Sequence, residues 1–257
     1  MDENYTPWPA APVNLSLDWD SVHVWLIRLQ ADEDTLTQLA STLAPMEKKR
    51  AETFHFDRDR NRFVAGHGML RTILARYLRT EPTQIWFEYG PNGKPLLGGQ
   101  FARSGLQFNL AHCKDLALLA ATRGRVVGVD LEKVCVMEGA EEMAACFCSP
   151  QEKAEFDSLP VDQKDEAFFR LWTRKEAWLK ATGKGIGGSL DKVEVSFRVD
   201  ETARFIHLPE QAGTVAHGWK LQEFIPSPGF VAALAYPGET AHLSCWEYHQ
   251  EEQFEYA

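Results

Sequence analysis

A carboxylate set between two lysines is the feature of this sequence that points most directly to chemistry. In residues 168–186, apolar side chains recur at helical spacing, and Trp172, Glu176 and Lys180 stand four residues apart on one stripe. Lys175 lies on the shoulder of that stripe. Such a helix face could serve an anionic substrate together with a metal ion. The alternative is an ordinary amphipathic helix whose charged residues form solvent-exposed pairs.

Two acidic residues form a second candidate group. Asp130 and Glu132 alternate with apolar residues in a predicted strand, so both carboxylates point to the same face. Carboxylates this close repel each other, and a hard divalent cation commonly compensates for the repulsion. Mg²⁺ would be bound by these carboxylates together with phosphate oxygens of a substrate. The alternative is a strand end whose acidic side chains simply face water.

Cationic side chains that could bind an anion occur in the first half of the chain. Between residues 48 and 79, nine Lys and Arg are accompanied by only three Asp and Glu, although the whole chain has a net charge of −10. His112 ends a predicted strand at 108–112, and Lys94 is presented by a tight turn at 90–95 that contains Asn-Gly and two prolines. A basic surface on an acidic protein suggests an anionic ligand. The alternatives are a solvated helix face and a structural histidine.

These motifs resemble those of a known family, the Sfp-type 4′-phosphopantetheinyl transferases of the Sfp/Gsp/HetI/AcpT superfamily. The family's Gly-hydrophobic-Asp-x-Glu strand matches the stretch from Gly128 to Glu132. Its Trp-x-x-Lys-Glu-x-x-x-Lys helix matches the stretch from Trp172 to Lys180, about forty residues further on, as in the family. Neither motif is specific alone, but together and in this order they are strong. The resemblance covers about residues 45–236.

Weaker matches to the family lie in the first half of the chain. They are Arg62 ahead of an Ala-Gly pair, Lys94 in a Gly-Lys-Pro turn, and His112 in an Asn-x-x-His strand. One position departs from the pattern, because Ala111 stands where the family usually has a serine. A hydroxyl that would bond a phosphate of coenzyme A is therefore missing. The lysine-rich segment matches only loosely and leaves its coenzyme A contact open among Lys48, Lys49 and Arg50.

The resemblance implies an enzyme that transfers 4′-phosphopantetheine from coenzyme A to a serine of an apo acyl, peptidyl or aryl carrier protein. The second product would be 3′,5′-ADP, and the cofactor would be Mg²⁺, with Mn²⁺ as an alternative. Two other functions stay open. One is a Mg-dependent hydrolase of a nucleotide pyrophosphate, and the other is a non-catalytic module that binds carrier proteins. The intact acidic and basic motifs favour the transferase.

The resemblance also implies roles for individual residues. The metal ion on the pyrophosphate would be bound by Asp130, Glu132 and Glu176. Glu176 would also take the proton of the carrier serine, and it forms the expected catalytic pair with Lys180. The side chains that would bind coenzyme A are Arg62, Lys94 and His112 at the adenine end and the 3′-phosphate, and Lys175 and Lys180 at the pyrophosphate.

Periodicity and turn residues predict an α+β fold of two pseudo-symmetric halves, each an antiparallel β-sheet packed with helices. The predicted parts are an extended arm (1–20), an N-terminal half (21–123), a C-terminal half (124–250) and a flexible acidic tail (251–257). By the resemblance, the active site lies in the cleft between the halves, with coenzyme A's adenine end in the first and the metal in the second.

The second half is predicted to contain two helical regions and five strands. The helices lie around 139–157 and 163–182, and the strands lie at 126–132, 192–199, 219–225, 230–236 and 242–248. Gly183 ends the second helix, because a glycine can adopt the left-handed C-cap conformation. A mobile basic loop at 184–188 is expected to follow.

Composition indicates a globular chain, because 44% of its 257 residues are hydrophobic and no apolar run reaches membrane length. Five cysteines without zinc spacing and a start unlike a signal peptide favour reduced thiols in the cytoplasm. The negative charge argues against nucleic acid as a partner. We expect a monomer, whose candidate surfaces for the carrier protein are the 48–60 region and the apolar side chains Met143, Phe147 and Phe156.

Overall fold

A computed structural model describes residues 6–185, 190–209, 218–238 and 241–249. The chain forms two compact units, one made of Trp8–Gly124 with residues from Leu243 onward, and the other largely of Arg125–His242. Each unit combines helices with antiparallel strand pairs, which confirms the predicted α+β class. Pseudo-symmetry between the two halves stays a prediction. The expected acidic tail at 251–257 and most of the expected loop at 184–188 lie outside the described residues.

The helices and strands of the described residues are numbered in chain order. They are β1 (Ser21–Arg28), α1 (Glu33–Thr42), α2 (Pro45–Ala51), α3 (Asp57–Leu78), β2 (Phe87–Tyr89), β3 (Pro95–Leu97), β4 (Leu106–Cys113), β5 (Leu116–Arg123), β6 (Gly128–Lys133), α4 (Ala140–Ala145), α5 (Pro150–Asp157), α6 (Val161–Thr182), β7 (Glu194–Val195), β8 (Phe205–His207), β9 (Trp219–Phe224), β10 (Phe230–Pro237) and β11 (His242–Glu247). In the part of the chain that the structure covers, no helix has the length and apolar character of a membrane span.

The N-terminal unit is built on a four-stranded sheet in the order β11-β1-β5-β4. Strand β1 is buried almost throughout, and α3 supplies apolar side chains to the same core. Gly68 of α3 allows a close approach of α1, because a Cβ there would lie 2.6 Å from the Cβ of Leu39. Gly68 therefore marks a position where two helices pack closely.

Strand β11 occupies a place that the sequence pattern does not predict. The pattern identifies a strand at 242–248 but assigns it to the C-terminal half. The structure adds it to the edge of the N-terminal sheet, where the Tyr248 amide donates to the Leu26 carbonyl (2.8 Å). The Arg28 guanidinium also pairs with the Glu247 carboxylate at 2.5 Å. The residues of a strand show by their periodicity that it is a strand, but they do not show which strand it pairs with. Here the partner lies more than two hundred residues away.

Glu47 and Arg71 form a buried ion pair within this unit. Glu47 directly precedes the basic stretch that begins at Lys48, and its carboxylate is buried and lies 2.8 Å from Arg71 Nε. The Arg71 guanidinium also donates to the backbone carbonyls of Pro82 and Ile85. Because several hydrogen bonds satisfy both charges, the pair fastens α2 and α3 to the connection that leads to β2.

His23 gives the N-terminal unit a predictable sensitivity to acid. Tyr77 Oη accepts the indole proton of Trp25 (2.8 Å) and is also hydrogen-bonded to His23 Nδ1, 2.9 Å away. Burial lowers the pKa of His23 to about 4, so the ring is neutral in the folded protein near neutral pH. The unfolded chain takes up this proton near pH 6.5, and stability is therefore lost as pH falls from about 6.5 towards 4.

We expect this single group to cost up to about 3 kcal/mol of unfolding free energy over that pH range. Urea unfolding at pH 7 and pH 4.5 would measure the loss in the wild type and in His23→Gln, which cannot titrate. The difference between the two pH values should shrink in that variant. The exposed His55 supplies the control substitution His55→Gln, which should behave as the wild type. An undiminished acid loss in His23→Gln would contradict the assignment.

The C-terminal unit contains a three-stranded sheet in the order β6-β10-β9, covered by α6. Helix α6 ends at Gly183, which has the left-handed conformation (φ 69°, ψ 15°) and whose amide donates to the Leu179 carbonyl. The predicted C-cap is thus confirmed. The predicted strand at 192–199 is reduced to β7, which pairs with β8, a strand that the sequence pattern does not reveal.

The prediction of an exposed apolar surface in the 139–157 region is wrong for two of its three residues. Phe147 and Phe156 are 5% and 0% exposed, and both belong to the core of the C-terminal unit. Phe147 packs edge-on against Phe168 and Trp172 of α6, which gives Trp172 a packing role. Met143 alone of the three is exposed. Phe156 of α5 packs instead against Phe197, inside the same core.

Candidate active-site residues

Helix α6 and strand β6 bring together three of the predicted site residues. The Lys180 ammonium of α6 donates to Oδ1 of Asp130 on β6 at 2.5 Å. Gly128 makes this closeness feasible, because a Cβ there would overlap the Ala177 carbonyl oxygen and the Ala181 amide nitrogen. The glycine of the strand motif thus allows the helix backbone to lie directly on the strand. The two sequence motifs meet at this contact.

Glu176 lies in the same group as a carboxylate in an unfavourable electrostatic environment. Its side chain is buried, and Oε1 has no hydrogen-bond partner among the described residues. Burial is the main cause that raises its pKa above the ordinary value, followed by repulsion from Asp130. The Lys180 ammonium acts in the opposite direction and lowers the pKa, and Glu132 adds a smaller repulsion that raises it. Such a carboxylate would be stabilised by a cation or by accepting a proton.

A divalent cation fits the chemistry of this group. The structure, over the residues it describes, contains no set of three His, Cys, Asp or Glu side chains already arranged as a metal site. The donors of Asp130, Glu132 and Glu176 are nevertheless hard oxygens, and Glu176 Oε1 is buried and unpartnered. Mg²⁺ usually takes few protein carboxylates and completes its shell with water and substrate phosphates. The residues therefore suit an ion that arrives with a phosphate-bearing substrate.

Lys175 does not lie with these residues, although the resemblance implies a phosphate contact for it. Its side chain is fully buried, and its ammonium lies 2.6 Å from Glu152 Oε2. It also donates to the backbone carbonyls of Phe147 and Leu190. All three ammonium protons have partners inside the protein, so a structural contact replaces the predicted phosphate contact. Helical periodicity places a lysine on a face but does not show whether that face is buried.

A cavity of about 330 Å³ in the N-terminal unit brings together two predicted residues of the coenzyme A site, Arg62 and His112. The Arg62 guanidinium is held by Asp115, with Nη2 2.6 Å and Nε 2.8 Å from Oδ1, and more loosely by Asp59. His112 is exposed at the wall of the same cavity. A fixed guanidinium and an imidazole in one concave, largely apolar pocket suit a ligand that is both flat and anionic.

His67 belongs to this cavity and is missed by the sequence reasoning. Its ring is stacked on Phe63 with centroids 4.1 Å apart, and its Nδ1 lies 3.0 Å from Glu47 Oε1. The spacing of four residues between Phe63 and His67 on a helix is the signal that could have revealed the pair. The cavity therefore offers an aromatic wall as well as cations.

Lys94 lies on the turn between β2 and β3 and is not among the residues that line this cavity. The turn has the predicted form, with Gly93 at φ 77° and the Gly90 amide donating to the Lys94 carbonyl (2.9 Å). Burial lowers the pKa of Lys94 to about 8. A lysine in this state gains more than an exposed one from a bound anion, because the anion restores its charged form.

Ala111 is buried on β4, whereas its neighbour His112 is exposed. Successive side chains of a strand point to opposite faces, so a serine hydroxyl at 111 would be directed into the interior. The missing hydroxyl therefore lies on the other face of the strand from the histidine. This arrangement does not support the expectation that Ala111 costs the protein a hydrogen bond to coenzyme A.

The chain is similar over nearly its whole length to known proteins. Residues 126–235 match the family model described as the 4′-phosphopantetheinyl transferase superfamily, and residues 29–124 match the one described as 4′-phosphopantetheinyl transferase, N-terminal. The 4′-phosphopantetheinyl transferase HetI of Nostoc sp. is 43% identical over 241 residues, which is 94% of this chain and 98% of that protein. A putative 4′-phosphopantetheinyl transferase of Synechocystis sp. is 34% identical over 77% of each chain. The Sfp enzyme of Bacillus subtilis is 25% identical over 66% of this chain and 73% of its own.

Proposed function

Since the chain belongs to the 4′-phosphopantetheinyl transferase family, of the Sfp and HetI type, we propose that it transfers 4′-phosphopantetheine from coenzyme A to a serine of an apo carrier protein. The observation that carries the proposal is the grouping of Asp130, Glu176 and Lys180 where α6 lies on β6. The family makes the chain an enzyme, so the alternative of a non-catalytic binding module is set aside.

The reaction is a displacement at the β-phosphorus of coenzyme A. The carrier serine oxygen bonds to this phosphorus, and the bond from the phosphorus to the oxygen of 3′,5′-ADP breaks. Glu176 accepts the serine proton, directly or through a water, and the metal ion that it would also hold would lower the pKa of that proton. Lys180, anchored to Asp130, neutralises charge on the phosphate oxygens. Most of the catalytic effect comes from positioning and charge neutralisation.

Asp130, Glu132 and Glu176 would hold the Mg²⁺ or Mn²⁺ ion. When bound, the ion would neutralise the pyrophosphate and lower the pKa of the attacking hydroxyl. The raised pKa of Glu176 and its buried, unpartnered oxygen support this assignment, because a cation would relieve both. Without the ion, the three carboxylates oppose the approach of an anionic substrate.

The N-terminal unit supplies the groups for the other end of coenzyme A. Arg62 and His112 would bind the 3′-phosphate and the adenine ring in the cavity that they share. Lys94 would contribute a further positive charge. Asp115 occupies the Nε and Nη2 edge of Arg62 and fixes the guanidinium, so a phosphate would be bound by the other edge, formed by Nη1 and the remaining proton of Nη2.

The half-buried Lys94 predicts how coenzyme A affinity depends on pH. In the free protein its pKa is about 8, whereas a bound phosphate would keep it protonated. The dissociation constant should therefore rise above pH 8, approaching tenfold per pH unit. Titration calorimetry at pH 7, 8 and 9 would test this against Lys94→Arg, which stays charged throughout. Equal slopes in the two proteins would exclude Lys94 from the coenzyme A site.

The proposed transfer is tested by the intact mass of an apo acyl carrier protein after incubation with this protein, coenzyme A and Mg²⁺. The expected result is a gain of one phosphopantetheine with release of 3′,5′-ADP, and no gain when EDTA is present. A peptidyl carrier protein serves as the second acceptor. Hydrolysis of coenzyme A without modification of either carrier would instead favour the pyrophosphate hydrolase.

We further propose that the enzyme works as a cytoplasmic monomer. Its five cysteines, all within the described residues, form no disulfide, which supports a reducing compartment. Size-exclusion chromatography with light scattering would test the monomer directly.

A further inference from the structure

The buried ion pair between Lys175 and Glu152 has no part in the proposed chemistry. Beyond its bond to Lys175, Glu152 accepts the Val195 amide at Oε1 (2.9 Å) and the Ser149 amide at Oε2 (2.9 Å). Lys175 in turn donates to the carbonyl of Leu190, which begins a short 3₁₀ turn. The pair therefore ties α6 to the start of α5, to this turn and to β7.

Burying a charged pair in a protein core costs free energy, because both groups lose their hydration. Both side chains are almost completely buried, Lys175 at 0% and Glu152 at 3% exposed. The desolvation of two charges commonly cancels their attraction, and apolar residues of similar volume often give equal or greater stability. A stabilising role alone is thus a weak account of this pair. Beyond any stability, the pair fixes geometry, because several hydrogen bonds hold each charged group in one position.

The sequence neighbour of Lys175 is Glu176, the proposed base. Consecutive residues of an α-helix point about 100° apart, so the two side chains leave α6 in different directions. Lys175 is fixed in the interior, and the next residue, Ala177, lies against Gly128 of β6. Glu176 stands between these two contacts. A helix held on both flanks of one residue cannot rotate about its axis without breaking one of them.

We propose that the Lys175–Glu152 pair is a positioning device for Glu176. It fixes the rotation of α6 so that the Glu176 carboxylate meets Asp130 and the reacting serine. This inference rests on the proposed function for its catalytic consequence, whereas its structural content concerns α6 alone. It also explains why the lysine of the helix motif precedes the glutamate without contacting a phosphate.

The test replaces the pair by apolar residues in the double variant Lys175→Met/Glu152→Leu. The exposed pair Lys153–Asp157 provides the matched control, Lys153→Met/Asp157→Leu. We expect the first double variant to unfold cooperatively and to bind coenzyme A within about threefold of wild type by calorimetry. Its kcat should nevertheless fall at least tenfold at nearly unchanged KM for coenzyme A. The control should keep wild-type kcat. A folded Lys175→Met/Glu152→Leu protein with wild-type kcat would overturn the inference.

Two further measurements keep the inference testable in every case. If the double variant does not fold, Glu152→Asp keeps the charge that Lys175 requires but shortens the side chain that fixes it, and it should show a smaller loss of kcat at unchanged KM. Hydrogen exchange of the α6 amides should be faster around Glu176 in these variants and unchanged in the control. If the wild type modifies no carrier, the proposed function fails, and unchanged α6 exchange would separately refute the positioning role.

Discussion

Replacing Glu176 by glutamine is expected to lower turnover by roughly 10²- to 10⁴-fold, the usual contribution of a general base. Glutamine keeps the shape of the side chain but cannot accept the serine proton, and it is a poor metal ligand. Coenzyme A binding measured without metal should be retained or slightly tighter, because the substitution removes one of the three carboxylates that oppose an anionic substrate. The measurement is the rate of phosphopantetheine transfer, with calorimetry for coenzyme A.

The same substitution should make the protein without ligand more stable. Burial and two neighbouring carboxylates raise the pKa of Glu176, so its ionised form opposes folding at neutral pH. The melting temperature of Glu176→Gln should thus exceed that of the wild type while activity is lost. Glu142→Gln, on an exposed position of α4, is the matched control and should change neither quantity. Full turnover in Glu176→Gln would remove Glu176 from the mechanism.

Substitution of Gly128 by alanine is expected to have the largest effect on stability. The added methyl group would overlap backbone atoms of Ala177 and Ala181, which cannot move without shifting the whole of α6. Overpacking of a core typically costs about 1–3 kcal/mol, and we expect the upper end of that range here because the overlapped atoms are backbone atoms. Separation of α6 from β6 would also draw Lys180 away from Asp130, so activity should fall even in the fraction that stays folded.

Chemical unfolding of Gly128→Ala would measure this loss directly. Gly66→Ala is the matched control for stability, because its added methyl group would meet only the flexible end of Leu29, at 3.4 Å. An alanine in the middle of a helix is favoured over glycine by about 0.5–1 kcal/mol, so Gly66→Ala should be neutral or stabilising. Equal stability of the two variants would contradict the close contact of β6 with α6.

The parts of the site that could be predicted from sequence are those set by local spacing. Asp130 and Glu132 share a strand face, and Glu176 and Lys180 share a helix face, because periods of 2 and 3.6 residues fix these relations. The Gly183 C-cap follows from the same local rules. Gly128 is also recognisable in the motif, and the structure supplies its physical reason.

The parts that could not be predicted depend on partners distant in sequence. The local sequence gives no sign that Lys175 is buried, because its partner Glu152 lies twenty-three residues away in the chain. The burial of Glu47 could not be predicted for the same reason, because its partner Arg71 belongs to another helix. Phe147 and Phe156 have no periodicity long enough to show which face is inward. Whether a charged group or the apolar face of a short helix is buried depends on how distant segments pack together, which local sequence does not show.

The position of β11 has a consequence for how this protein is made. The N-terminal sheet is discontinuous in sequence, since its outermost strand is contributed by His242–Glu247, after almost the entire second unit. During synthesis, β1 is translated early and then waits with an unpaired edge until that strand has left the ribosome. Exposed strand edges invite pairing with other chains, and distant pairings form slowly. The interval between β1 and β11 is therefore the period in which the nascent chain most needs protection from aggregation.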